Sequence, residues 1–296
     1  CRLDKVWENT MILLDLNQVM IANLMIQIQG GKADLQEDLI RHMVLNSIRL
    51  YRQKFKEYGE LVICADDKNY WRKDVFPYYK AHRKEDREKS DLDWKMIFEC
   101  LNKVKGEIKD NFPYRVIQVS RAEADDVIGT LTNRFGVYLN NDTNEKILIL
   151  SGDKDFGQLQ KYANVDQFSP VTKRWVKVPD PRRFLREHIM KGDRGDGIPN
   201  FLSNDSCIVA KERQKPLASK KLNIWVDQEP KDFCTEEMLR NYKRNEQLVD
   251  LDCVPDNIRA EVNRQYDEYE LPDRKGLLNY FIKNRLKLLT ECIGDF

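Results

Sequence analysis

The residues best suited to do chemistry are acids that follow apolar runs. Asp15 directly follows Met11–Leu14, and Asp66 directly follows Leu61–Ala65. Glu123, Asp125 and Asp126 come just after the run ending at Val119, and Asp153 and Asp155 just after Lys146–Leu150. If the four runs are neighbouring parallel strands, their carboxyl ends share one edge, where open α/β sheets place their ligand sites. That many carboxylates cannot crowd together as bare anions, because like charges at short range in a partly dry site repel strongly. Either several are protonated or cations neutralise them. An oxygen-only ligand set favours a hard ion, Mg²⁺ or Mn²⁺. Two such ions about 3.5–4 Å apart are a recurring device for phosphodiester hydrolysis, in which a bound water becomes acidic and both ions stabilise the in-line transition state.

Each acid also has a plainer reading. Ser120–Glu123 has the spacing of a capping box, so Glu123 could serve its helix alone. Asp125 and Asp126 are acids in a first helical turn, which the helix dipole favours. Asp153 and Asp155 could be turn residues, and Asp67 reads as a bystander. Asp15 and Asp66 are harder to set aside, since a carboxylate ending a buried strand needs a partner. Coincidence at four strand ends is the least economical account. Asp15-Leu16-Asn17 also resembles the start of the aspartyl-phosphate hydrolases. With Asn17 in the second position that chemistry lacks its general acid, and Asp153-x-Asp155 comes too early for their trailing acids.

The elements that must position these groups follow from periodicity. Five short apolar runs read as buried strands: Met11–Leu14, Leu61–Ala65, Tyr114–Val119, Lys146–Leu150 and the weaker Val165–Phe168. Helical spacing runs from Leu35 to Phe55, from Trp94 to Ile108 and from Ala124 to Phe135. Alternating strands and helices predict an α/β fold, with a central, mainly parallel sheet covered by helices on both faces. Asn140–Glu145 reads as a simple connection. Lys68–Asp93 is a long, charged, aromatic insertion of the kind that is usually functional or disordered. Beyond Pro179 the strand signal stops, which divides the chain into an α/β region over 1–180 and a smaller, mainly helical region over 181–296.

Composition narrows the class. The chain has 296 residues, 50 Lys+Arg, 49 Asp+Glu and 3 His. No apolar run approaches the ~18 residues of a membrane span, and no secretory signal is visible at the start. The chain begins at Cys1 rather than Met, so a trimmed or incomplete N-terminus is the expectation. The 7 Cys are scattered without a CxxC, which speaks against a structural zinc site and for reduced thiols in the cytoplasm. With His so scarce, a mechanism built on carboxylates is expected. Basic residues gather over Lys68–Lys84, Arg182–Arg194 and Lys211–Lys221, as selected contacts to a phosphate-rich ligand would require.

Five motifs occur in order: Leu13-Leu14-Asp15, Cys64-Ala65-Asp66, Glu123-Ala124-Asp125-Asp126, Ser151–Phe156 and Lys191–Pro199. Together they resemble the flap endonuclease / 5′→3′ exonuclease family. Along nearly the whole chain the character is that of its T-even phage ribonuclease H branch. The resemblance implies the PIN-like 5′ nuclease fold and a two-Mg²⁺ site, with Mn²⁺ able to substitute. Asp15, Asp66, Glu123 and Asp125 would hold the first ion with Asp126 beside them. Asp153, Asp155 and Asp196 would hold the second, with Asp193 close. It also implies that Lys68–Asp93 is a helical arch, in which Arg72, Lys80 and Arg83 are candidates to grip the scissile phosphate and Tyr79 could stack on a base; the plainer alternative is an amphipathic helix whose aromatics pack down. The catalytic weight falls on Lys80, Arg83, Asp125 and Asp153. Gly192–Pro199 resembles the start of a helix–three-turn–helix, but Asn200–Asp205 replaces the expected glycine-rich hairpin, so potassium binding is not carried over. Lys191, Arg194, Lys211, Arg213, Lys220 and Lys221 are expected on backbone phosphates by charge. The implied substrates are RNA–DNA hybrids, 5′ flaps and nicked duplexes, and the implied role is primer removal. A monomer is expected, in the bacterial host cytoplasm if phage-encoded, with a single-strand binding protein as a possible partner. The rivals are a PIN-like single-strand ribonuclease, disfavoured by the arch and the long C-terminal region, and a catalytically silent DNA-binding protein, disfavoured by the complete acid set.

Overall fold

The computed structural model describes residues 10–29, 36–90, 92–138 and 145–296. Cys1, Leu35 and residues 140–144 of the connection read above lie outside them. The six strands are β1 (Met11–Asp15), β2 (Glu60–Cys64), β3 (Arg115–Ile117), β4 (Ile147–Leu150), β5 (Val165–Ser169) and β6 (Arg174–Val176). They form one sheet in the order β3-β2-β1-β4-β5-β6, parallel except for β6. The chain builds outward from β1 to β3 and then returns to place β4 on the other side of β1. That reversal makes the carboxyl ends of β1 and β4 the topological switch point, where this class of sheet opens a crevice.

The strands sort their side chains with period two. Ile12, Leu14, Leu61, Ile63, Leu148 and Leu150 face one layer, with helices α1 (Leu16–Gln29), α2 (Glu37–Lys54) and, after two short helices described below, α5 (Trp94–Asn111). Met11, Leu13, Val62, Cys64, Ile117, Ile147 and Ile149 face the other, with α6 (Ala124–Phe135). Two elements escaped the sequence reading. The apolar residues of α1 are not confined to one stripe, so it shows no helical periodicity. β6 is a three-residue edge strand with an exposed Trp175 and no apolar run.

Residues beyond 181 enter every buried cluster. Leu277, Tyr280, Phe281, Leu289 and Phe296 join the first face, and Leu251, Ile258, Val262 and Tyr266 join the second. A third cluster combines Ile189, Met190, Phe201, Tyr242 and Leu248 with Phe76 and Tyr79 from the 68–93 insertion. That insertion holds α3 (Arg72–Val75), a tight turn ending at Lys80 in the left-handed region (φ 54°), and α4 (His82–Glu88). Its first half is packed down through Trp71, Phe76 and Tyr79, each side chain contributing roughly 1.5–3 kcal/mol of burial. Most of its second half stands in solvent. After α7 (Pro181–Lys191) the chain turns sharply at Gly192 (φ 66°), where a Cβ would strike the Ile198 and Pro199 carbonyls.

Candidate active site

The switch point is lined by acids of two kinds. Among the described residues, those at the strand ends form no ion pair with Lys or Arg. Asp15, at the tip of β1, accepts the Gln18 N–H (3.1 Å) and the Ser151 hydroxyl (3.0 Å). Burial, with Asp66 nearby, nevertheless pushes its carboxyl up to about 7. Asp66 accepts the Ala124 N–H at the start of α6 and the Asn17 amide, both at 2.6 Å, and burial still raises it. Asp125, in the first turn of α6, is raised well above the usual carboxylate range by burial and by Asp153. Asp153 caps the short helical turn Lys154–Lys161 by accepting the Asp155 N–H at 3.0 Å. Asp155 is pushed up to about 7 by burial, which His188 only partly offsets. Asp153, Asp155, Asp193, Asp196 and Arg83 line one open cleft of about 370 Å³.

The acids on the opposite wall are matched by the protein itself. Glu123 is buried, with Lys80 Nζ at 2.5 Å, Arg72 at 2.9 Å and the Tyr79 hydroxyl at 2.8 Å. Burial opposes its ionisation, but Lys80 and Arg72 more than compensate and hold it below the usual range. Asp196 pairs with Arg83 at 2.6 Å and lies 3.0 Å from the Tyr79 hydroxyl. Asp193 pairs with Lys154 at 2.7 Å and lies 3.3 Å from His188 Nε2, and these two partners outweigh burial and lower it. Asp155 Oδ1 and His188 Nδ1, 3.4 Å apart, are both buried without a hydrogen-bond partner. Orphaned atoms and raised carboxyls describe a site short of positive charge, whose oxygen donors fit a divalent cation.

Two family models match in tandem. The 5′-3′ exonuclease N-terminal resolvase-like domain matches residues 25–188, and the T4 RNase H C-terminal domain matches residues 184–296. The chain is 33% identical to ribonuclease H of Enterobacteria phage T4 over 99% of its own length and 98% of the relative's. The chain belongs to the 5′–3′ exonuclease family. It is also 28% identical to a 5′-3′ exonuclease of Buchnera aphidicola, over half of each chain. Among solved structures it shares its fold with a bacteriophage T5 flap endonuclease complexed with DNA and metal ions (TM-score 0.60, 17% identity, 87% of this chain and 98% of that one). A zinc-bound T5 5′-exonuclease gives a TM-score of 0.57 at 17% identity, over 89% and 100% of the two chains. This chain is therefore a 5′–3′ exonuclease/flap endonuclease with the family's 5′ nuclease fold.

In this exonuclease three expected roles are corrected by burial. Asp126 is fully enclosed. Trp71 Nε1 (3.1 Å), the Glu123 N–H (2.9 Å) and Arg72 (2.8 Å) take up its oxygens, so it braces the start of α6 rather than facing the crevice. Glu123, not Ser120, begins that helix. Arg72 is 2% exposed and is spent on Glu123, Asp126 and the Leu248 carbonyl, leaving nothing for a phosphate. Tyr79 is equally buried, so its ring cannot stack on a base. Lys80 and Arg83 do face the acids. Arg194, Lys211 and Arg213 share a cleft of about 450 Å³. Lys191, Lys220 and Lys221 are exposed outside it, Lys191 paired with Glu187 and Lys221 over the Trp225 ring. From Gly192 the chain enters the short 3₁₀ turn Arg194–Asp196, and no glycine-rich hairpin follows Pro199. The chain passes through turns until α8 (Ser219–Trp225).

Sequence reasoning also missed a groove of about 880 Å³ running from Asp66 between α4 and α5. Tyr70, Trp94 and Phe98 line it together with Lys84, Arg87 and Lys105. Helical spacing alone does not say which side of the helix Trp94 and Phe98 turn to. The spacing of α5 is real, but its first turns straddle the edge between core and solvent.

Proposed function

We propose that this exonuclease uses divalent cations, Mg²⁺ with Mn²⁺ able to replace it, to hydrolyse phosphodiesters at the 5′ ends of RNA–DNA hybrids, flaps and nicked duplexes, and that its role is removal of RNA primers during replication. The observation that carries this reading is the set of uncompensated acids at the switch point, facing Lys80 and Arg83 across one crevice. Asp15, Asp66 and Asp125 would hold one ion, and Asp153, Asp155 and Asp193 a second beside Asp196, while Glu123, expected on the first ion, is instead matched by Lys80 and Arg72. When bound, such ions acidify a water and neutralise charge building on the phosphate.

The rest is work for side chains. Lys80 and Arg83 now neutralise Glu123 and Asp196, and a substrate phosphate competes with those carboxylates for the same two cations. Arg72 and Tyr79 hold Glu123 in place, acting on Lys80 through it. Tyr70, Trp94 and Phe98 offer faces for unpaired bases, while Lys84, Arg87 and Lys105 follow the backbone. This combination accepts a single strand without reading its sequence. Arg194, Lys211 and Arg213 would meet duplex phosphates, so region 181–296 adds duplex grip and the Asp193–Asp196 turn to a cleaving site built mainly by 1–180. The 33% identity to a phage T4 enzyme supports a setting in the host cytoplasm; a monomer working beside replication proteins such as a single-strand binding protein belongs to the same proposal.

The test is to incubate 5′-labelled hybrid, flap and nicked substrates with the protein, with and without Mg²⁺, and to size the products. Cation-dependent release of short 5′ products from all three is expected. Cleavage of unstructured RNA without a 5′ end, or cleavage in chelator, would overturn the reading.

A further inference from the structure

Outside the roles assigned so far stands one histidine. His188 occupies the last turn of α7 and is only 6% exposed. The left-handed Gly192 reverses the chain four residues later and brings Asp193 back beside the ring. Asp155 arrives from the other direction, on the turn after β4. One ligand atom from each of Asp155, His188 and Asp193 lies within 4.8 Å of the others.

The ring's two nitrogens are not equivalent. Nε2 lies 3.3 Å from Asp193 Oδ2 and can donate its proton there. That leaves the Nδ1 lone pair facing Asp155 Oδ1 at 3.4 Å, with neither atom hydrogen-bonded. A lone pair aimed at a carboxylate oxygen is repulsive unless a proton or a metal cation lies between them, and no hydrogen bond is formed across this gap. Two ligand atoms on one tetrahedral ion, each ~2.0–2.1 Å from it, stand ~3.3 Å apart. The observed gap is of that size. Lys154, whose side chain is 56% exposed, now offers its charge to Asp193 and is free to swing away.

We propose that His188 Nδ1 is a metal ligand, joining Asp155 and Asp193 on one cation, so that this end of the acid site takes a first-row transition-metal dication in preference to Mg²⁺. Imidazole suits such ions, whereas Mg²⁺ prefers oxygen ligands throughout. The proposal rests on the reading of the strand-end acids as a cation site and adds to it a nitrogen ligand and a metal preference.

The experiment loads the full chain with Mn²⁺ and records pulsed EPR alongside a binding titration. Nitrogen modulation of the Mn²⁺ signal is expected. His42 and His82 are the other histidines, so the variant His188→Gln makes the assignment. Glutamine can keep a donor near the Nε2 position toward Asp193 while removing Nδ1, and circular dichroism confirms the fold. The variant should lose the modulation and bind Mn²⁺ roughly tenfold or more weakly, with Mg²⁺ binding unchanged. Mn²⁺ binding without nitrogen modulation in the unaltered protein overturns the role of His188 and leaves the acid site standing. Failure to bind Mn²⁺ at all overturns both.

Discussion

The two walls of the crevice are built from the same residue type and behave in opposite ways. On the sheet side, Asp15, Asp66, Asp125 and Asp155 are all raised, two of them to about 7. On the roof side, Glu123 and Asp193 are lowered although burial works against them too. What differs is the supply of cations. Arg72, Lys80 and Lys154 stand against the roof acids, whereas the strand-end acids have mainly amides, hydroxyls and one another. The roof is a finished piece of structure, and the sheet edge is unfinished until something positive arrives.

Neutralising one acid on each wall should separate these roles. Asp125→Asn and Asp153→Asn should each lower cleavage by at least about 10³-fold, equivalent to roughly 4 kcal/mol of transition-state stabilisation. Neither should lower the thermal midpoint of the metal-free protein, because each takes one carboxyl out of a crowded set of acids. Near-normal turnover in a labelled-substrate assay would remove that residue from the cation site. Arg72→Met attacks the roof instead. It leaves Glu123 and Asp126 buried with one cation fewer and should cost about 3–5 kcal/mol in a denaturant titration. A loss under 1 kcal/mol would mean that the Arg72 cluster is not what fixes the roof.

The uneven legibility of the site has the same root. Strand ends could be read because a buried strand is a short apolar run and the acid after it is visible in the sequence. For that reason Asp15, Asp66, Asp125 and Asp153 were found together with the sheet that brings them to one edge. The roof was misread because a basic aromatic segment looks the same in sequence whether its side chains reach for substrate or pack inward. Trp71, Phe76 and Tyr79 carry no mark of burial, which is imposed from far along the chain, on Trp71 by Leu251 and Val254 and on Phe76 and Tyr79 by Phe201, Tyr242 and Leu248. His188 was passed over for a related reason. Its meeting with Asp155 depends on a turn and a crossover, and neither leaves a spacing motif.

Acidity tests the contrast without mutation. A strand-end carboxyl that titrates at 3.8 when unfolded and near 7 when folded keeps its proton in the native state while the unfolded chain has lost it. Through that window the native state binds more protons, so stability falls as pH rises from about 4 to 7, by a few kcal/mol at most. The lowered Glu123 and Asp193 act oppositely and withdraw stability only as pH drops below their usual range. Metal-free protein should therefore be most stable in mildly acid solution. At 100 times its dissociation constant, a bound cation should restore about 2.7 kcal/mol at neutral pH. Thermal scans at pH 5 and pH 8, with chelator and then with Mg²⁺, measure both. Equal midpoints in chelator at the two values would contradict the uncompensated state of the sheet edge.

The smallest effect is expected furthest from the acids. Arg194, Lys211 and Arg213 line their cleft as solvent-exposed groups, and Lys211 already shares its charge with Glu85 at 2.7 Å. A contact to duplex phosphate there releases counterions, so binding should weaken steeply with salt. Removing one such contact should reduce the slope of log affinity against log salt by about one, uniformly across sequences. For Arg213→Ala, measured by fluorescence anisotropy on a nicked duplex in chelator, that is the full expected change. Lys211→Ala should do less, because the lysine must leave Glu85 to reach a phosphate, and that cost offsets part of the gain. Equal slopes for Arg213→Ala and the unaltered chain would move the duplex off this face, leaving the groove along α5 as the main source of grip.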